Sequence, residues 1–188
     1  MFRKSVAAAL AVLSLGAIGA STASADAGPG TCKYADSSAL TTSGNRIANS
    51  MLCITNNERR AAGLAPLTNN TKLTNAAVAH SRDMAQRNYD AHNTPEGVTP
   101  DQRLTQAGYV FSWWGENIAN GYKTPRQVMA AWMASPGHRA NILNPNFKEI
   151  GIGLWYTSSK VVRYTQDFGQ SPNGQEGTVT GLEPQFQK

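Results

Sequence analysis

Residues 149–168 read EIGIGLWYTSSKVVRYTQDF. Two runs, Glu149 to Tyr156 and Lys160 to Phe168, are rich in Ile, Val, Tyr and Trp and flank Thr157-Ser158-Ser159, which predicts a β-hairpin. Gly151 and Gly153 alternate within the first run. Glycine weakens a strand unless something packs closely on that face, so a helix or an aromatic side chain is expected to lie across it. Upstream of the hairpin the periodicity is helical. Helices followed by an antiparallel sheet, with more helices interposed, describe an α+β layered domain rather than a doubly wound one.

The first helix is expected from about Asn45 to Ala62, with Ile47, Met51 and Ile54 on one stripe and Gly63 where helices commonly end. Arg59 and Arg60 fall in its last turn and read as solvated cations at the negative end of the helix dipole. A second helix spans Thr71 to Arg87, because Leu73, Ala77, His80 and Met84 recur at the helical period; His80 reads as a core histidine held by a neighbouring backbone or carboxylate group. Thr99-Pro100-Asp101-Gln102 and Thr124-Pro125-Arg126-Gln127 are twin helix starts, each with a Thr cap, Pro at the first helical position and Gln placed for a capping box. Tyr109 to Ala119 reads as an extended segment that delivers Glu116, and Pro136 ends the helix carrying Val128, Met129 and Trp132.

The chain has 188 residues and a net charge of +5. Phe2 to Lys4 is a basic start, Val6 to Ala20 an apolar run, and Ala23-Ser24-Ala25 a signal-peptidase site, so residues 1–25 read as a cleaved export signal with no membrane anchor left afterwards. The remainder suits one domain. Residues 26–44 read as a flexible arm, 45–169 as the folded domain and 170–188 as a mobile tail, all in a chain expected to be a secreted, extracellular monomer. Lys and Arg are scattered rather than gathered into a stripe, which argues against nucleic acid as a partner. Cys32 and Cys53, the two cysteines, are expected to form a disulfide, as an even pair does in an exported chain.

Three groups able to bind a metal or carry protons stand apart in sequence: His92 in YDAHNTPEG, Glu116 in GENIA and His138 in SPGHRANIL. Read singly, each has a plain structural role, and only the fold can bring them together. Ser135 and His138 are not a nucleophile and base, since Pro136 intervenes and no nucleophile-elbow sequence surrounds the serine; Ser135 reads as a helix cap. Tyr109, Phe111, Trp113, Trp114 and Tyr122 crowd around Glu116, most of them core and one or two available to line a groove.

Taken in order, LCITNNERRAAGLAPL, AHSRDMA, the His92 segment, GENIA, AWMASPGHRANILNPNFKEIGIG and YTQDFG resemble the CAP superfamily of cysteine-rich secretory, antigen 5 and pathogenesis-related proteins, in its compact bacterial form, from about Met51 to Gly169. The resemblance implies a three-layer α-β-α sandwich, a small antiparallel sheet flanked by helices, with a cleft where two histidines and two acids face one another. His92 matches the first histidine, Glu116 the glutamate of the GEN motif and His138 the second histidine. Larger relatives carry a glutamate where this chain has Ser135, and Glu96 is the substitute considered for that fourth member.

Two imidazoles and a carboxylate can hold a divalent metal such as zinc and leave a position for water. The missing second glutamate removes the obvious general base. The expectation is therefore a non-catalytic extracellular module that binds a small molecule, a lipid or a cell-envelope component. A metal-assisted hydrolase or peptidase using the same cleft, and a structural or protein-interaction domain, are the alternatives.

Overall fold

A computed structural model describes residues 31–172. The export signal and most of the 170–188 tail lie outside the described residues. The elements are α1 (Gly44–Ala61), β1 (Thr68–Asn69), α2 (Thr71–Arg87), α3 (Pro100–Gln106), β2 (Trp113–Asn120), α4 (Pro125–Ala134), α5 (Pro136–Ile142), β3 (Glu149–Tyr156) and β4 (Val162–Gln170). The sheet order is β1-β3-β4-β2. β3, β4 and β2 pair antiparallel, and β1 adds a two-residue parallel pairing at the edge of β3, so the sheet expected to be antiparallel is mixed.

The alternation along β3 sorts the two faces. Ile150, Ile152 and Leu154 join Ile47, Met51, Val128 and Trp132 in the main core between the sheet and α1, α4 and α5. Gly151 and Gly153 face α2. A Cβ placed on Gly151 would come within 2.1 Å of the Leu73 and Thr74 backbone, and one on Gly153 within 2.2 Å of the Ala77 backbone. The close-packed partner expected over the glycines is thus the helix α2. A smaller cluster of Leu73, Ala76, Leu104 and Tyr109 fills the space between α2 and α3. Two helical layers therefore enclose the sheet.

Helix ends follow the sequence signals in part. Gly63 takes φ +73°, Leu64 N–H donates to Arg59 O and Gly63 N–H to Arg60 O, closing α1 in a Schellman arrangement. At Thr99 the Gln102 side chain accepts the cap's N–H, whereas at Thr124 the matching Gln127 side chain accepts from Lys123 N instead. Ser135 sits between α4 and α5 without a side-chain cap bond, contrary to its expected capping role. Lys160, read as strand, occupies the hairpin turn at φ +66°.

Two readings are corrected more substantially. The part of the 26–44 arm that is described is docked: Ala35 and Ala39 are buried, Ala39 N–H donates to Lys123 O, Arg126 N–H donates to Ala35 O, and the Arg126 guanidinium forks onto Asp36 at 2.7 and 2.9 Å. The Cys32–Cys53 disulfide, closing 21 residues, pins this segment to α1. Composition suggests a loose lead-in because small polar residues bury little; two buried alanines, the Arg126 and Lys123 contacts and a covalent bridge hold it in place. Arg59, read as solvated, is 1% exposed and donates to the carbonyl oxygens of Ala65, Ile142, Asn144 and Phe147. It ties α1 to the turn between α5 and β3.

Candidate functional site

The hairpin register puts Gly151, Asp167 and Glu116 in one cross-strand row. Because directly opposed residues share a face, Glu116 and Asp167 project with the Gly151 face toward α2. Glu116 is 6% exposed and Asp167 1%. The loop after α2 then lays His92 over this row, and its Nδ1 meets Glu116 Oε1 at 2.7 Å. From α3, Arg103 Nη2 donates to Glu116 Oε2 at 2.5 Å, while Nη1 donates to His92 O at 2.7 Å and Val98 O at 3.2 Å. One guanidinium thus neutralises the carboxylate and fastens the loop that carries the imidazole.

An ionised carboxylate only accepts, so Nδ1 of His92 carries the hydrogen and Nε2 holds the lone pair in the neutral ring. The hydrogen bond to Glu116, opposed by partial burial, raises the His92 pKa above 6.5. Burial pushes the Glu116 carboxyl up, but the His92 and Arg103 contacts outweigh it and keep Glu116 below 4.5, ionised at neutral pH. Under the same row, His80 bonds Ala91 O through Nε2 at 3.1 Å, and burial lowers its pKa to about 4. It is a neutral core histidine with a backbone partner, as its place on α2 predicted.

His92, Glu116, Trp114 and Asn141 line a recess of about 590 Å³ together with Asn93 and Asp101. Trp114 is 39% exposed and meets Phe111 edge-on at 6.4 Å, and Phe111 in turn stacks on buried Tyr109, so the indole is braced from behind. Trp113 beside it is 51% exposed. Along the free edge of β2, Asn141 Nδ2 donates to Glu116 O and Trp132 Nε1 to Ile118 O, which occupies the carbonyls an added strand would need.

The other expected members stand elsewhere. His138 lies on α5, 6.4 Å from the Trp132 ring, and its carbonyl accepts from Asn117 Nδ2; it is not among the residues lining the recess. Burial and then the charge of His92 lower its pKa, so the two imidazoles sense each other across a gap. Glu96 is exposed and gripped by Arg87 at 2.5 and 2.9 Å, lining a separate recess between α2 and α3. Ser135 is outside the recess as well. Sequence reasoning missed Arg103, Asp167 and Asn141. Parity along β4 could have found Asp167: paired across a hairpin with Gly151, it had to share the buried α2 face.

A resident zinc ion fits this arrangement poorly. Both Glu116 oxygens are taken, one by a cation, His92 has only Nε2 to offer, and His138 lies outside the recess. Among the described residues no group of three or more His, Cys, Asp or Glu side chains is placed to hold an ion.

A family model described as the cysteine-rich secretory protein family, CAP, matches residues 52–168, the span that builds this sheet and recess. The chain belongs to this family. It is 45% identical over 115 residues to the uncharacterized protein YkwD of Bacillus subtilis, covering 61% of this CAP chain and 44% of that protein. A crystal structure of an extracellular protein containing an SCP domain from Bacillus anthracis superposes with a TM-score of 0.62 at 31% identity, over 68% of this chain and 41% of the other. An outer surface protein of Borrelia burgdorferi, at 22% identity and a TM-score of 0.61 over 64% of this chain and 90% of its own, shares the fold. The chain thus spans under half the length of YkwD and of the Bacillus anthracis protein. Among the described residues no helix of this CAP protein is long and apolar enough to cross a membrane.

Proposed function

We propose that this CAP domain is an extracellular, non-catalytic binding module whose recess takes a carbohydrate component of the cell envelope. The observation that carries the reading is the pairing of a braced, part-exposed indole, Trp114, with the planar polar side chains of His92, Asn93, Asp101 and Asn141 around one recess. A flat aromatic face suits the apolar face of a sugar ring, and convergent amide, imidazole and carboxylate groups suit its rim of hydroxyls. The buried charge of Glu116 is matched by Arg103, and the carboxylate left among the lining side chains, Asp101, disfavours an anionic headgroup. The extracellular description of the Bacillus anthracis SCP protein and the export signal expected at residues 1–25 support the setting.

The test is calorimetric titration of the chain with soluble oligosaccharides of N-acetylated hexosamines. Saturable binding weakened about tenfold by Trp114→Ala, equivalent to ~1.4 kcal/mol, is the expected result. Absence of saturable binding, or an affinity indifferent to that substitution, refutes the reading.

A specific feature favours hydrolysis as the second reading. His92 is half-exposed and lines the recess, and with Nδ1–H held by Glu116 its Nε2 is left as a base able to activate water. In that case turnover of the same oligosaccharides, or of peptides, appears as pH rises through the elevated His92 pKa and vanishes in His92→Asn.

A further inference from the structure

Asp167 takes no part in either reading, yet it is the carboxyl group most completely shut away from water beside the recess, at 1% exposure. No N–H or O–H donor among the described residues reaches either of its oxygens. Its cross-strand neighbour on one side is Gly151, which has no side chain and is covered by the α2 backbone; on the other it is Glu116. The ionisable groups that face it are Glu116 from β2 and Arg103 from α3, with His80 of α2 acting on the same pair. His80 is neutral, and Arg103 is already bound to Glu116 at 2.5 Å. One cation thus serves two carboxyl groups. A second buried anion there would be uncompensated, and such a group takes up a proton instead.

We propose that Asp167 is a positioning residue of the recess, buried as a carboxylic acid whose O–H donates to Glu116 and leaves Glu116 the single anion that orients His92. The proposal rests on the reading that the recess holding His92 is the working site. The contact needs no further reactant: an acid O–H faces a carboxylate oxygen, and the proton stays in the pair. Burial and the neighbouring Glu116 charge both hold the Asp167 carboxyl well above the ordinary carboxylate range, consistent with that geometry. Glu116 then has three donors, from Asp167, His92 and Arg103, which explains how a carboxylate 6% exposed remains ionised.

The experiment needs no ligand, so its failure is distinct from failure of carbohydrate binding. An infrared spectrum of the wild-type chain at neutral pH should contain a neutral carboxylic acid carbonyl band that moves on 13C-aspartate labelling and is missing from Asp167→Asn. In the same variant, NMR titration of His92 should shift by less than about half a pKa unit, because no charge has been removed. Asp167→Leu, similar in bulk but unable to donate, should lower the share of neutral His92 in the Nδ1–H tautomer, read from imidazole 15N shifts, while Asn restores it. Absence of the acid band overturns the proposal, and the labelling arm holds even if neither variant folds. A fall of about one unit or more in the His92 pKa of Asp167→Asn, or a tautomer ratio equal in all three proteins, overturns it equally.

Discussion

Arg59 shows how one side chain can organise a junction that hydropathy assigns to the surface. Its guanidinium supplies hydrogens to four backbone carbonyls, three of them at residues 142–147. Burial lowers its pKa below the ordinary arginine value, yet a guanidinium remains charged, and the carbonyl dipoles replace the water it gives up. The planar fork matters more than the charge. Arg59→Lys keeps a cation but cannot span the same acceptors, and Arg59→Met leaves all four unpaired. Each buried group left without its partner costs about 1 to 3 kcal/mol, so urea unfolding should show Arg59→Met less stable by at least about 3 kcal/mol, with Arg59→Lys between it and wild type. Equal stability of the Met variant and wild type would mean that water enters and bonds those carbonyls.

Among the elements, the β3 and α2 contact was the most legible from sequence. Alternating glycines can be read as an approach surface because only a missing Cβ lets a helix backbone come so near, and the 2.1 Å that a Cβ on Gly151 would leave to Leu73 and Thr74 bears this out. Gly151→Ala must push α2 away from the sheet and should cost about 3 kcal/mol or more in thermal or chemical unfolding; a loss under about 1 kcal/mol would mean that α2 yields easily. Helix caps were legible for the same reason, since Thr-Pro and Gly carry their backbone preferences with them. What the sequence hid was tertiary. Arg59 and Arg103 look like surface cations until the carbonyls and carboxylate they serve are brought to them from other elements. His92 and Glu116 meet directly, but His138, on α5, is not among the residues that line their recess, and no local pattern encodes that outcome. The segment 31–43 reads as loose for a similar reason: its disulfide was legible, but Lys123 O and Arg126, which receive Ala39, Ala35 and Asp36, come from elsewhere in the chain. Removing the bridge with Cys32→Ser and Cys53→Ser together should destabilise the chain by about 3 kcal/mol on the loop-entropy model and expose residues 35–39 to hydrogen exchange while α2 stays protected.

For the molecule as a whole, two histidines on one side of the sheet impose opposite pH dependences on folding. The His92 pKa is raised by Glu116, so its stabilisation is complete below 6.5 and is lost as pH climbs through the folded value; at half exposure it is screened by solvent. His80 works the other way. Its pKa falls from 6.5 in the unfolded chain to about 4 in the folded one, because the charged ring would be buried. Its contribution is therefore fully present above pH 6.5 and is withdrawn as pH drops toward 4. A shift of that size corresponds to about 3 kcal/mol, enough to dominate the acid limb of a marginally stable domain. His80→Gln retains an amide N–H for Ala91 O and has no proton to gain. Chemical denaturation between pH 7 and 4 should accordingly show wild type losing up to about 3 kcal/mol more than the Gln variant, with the two curves converging in slope above pH 7. Parallel curves across the whole range would place the acid sensitivity elsewhere and show that the His80 ring accepts its proton without leaving the interior.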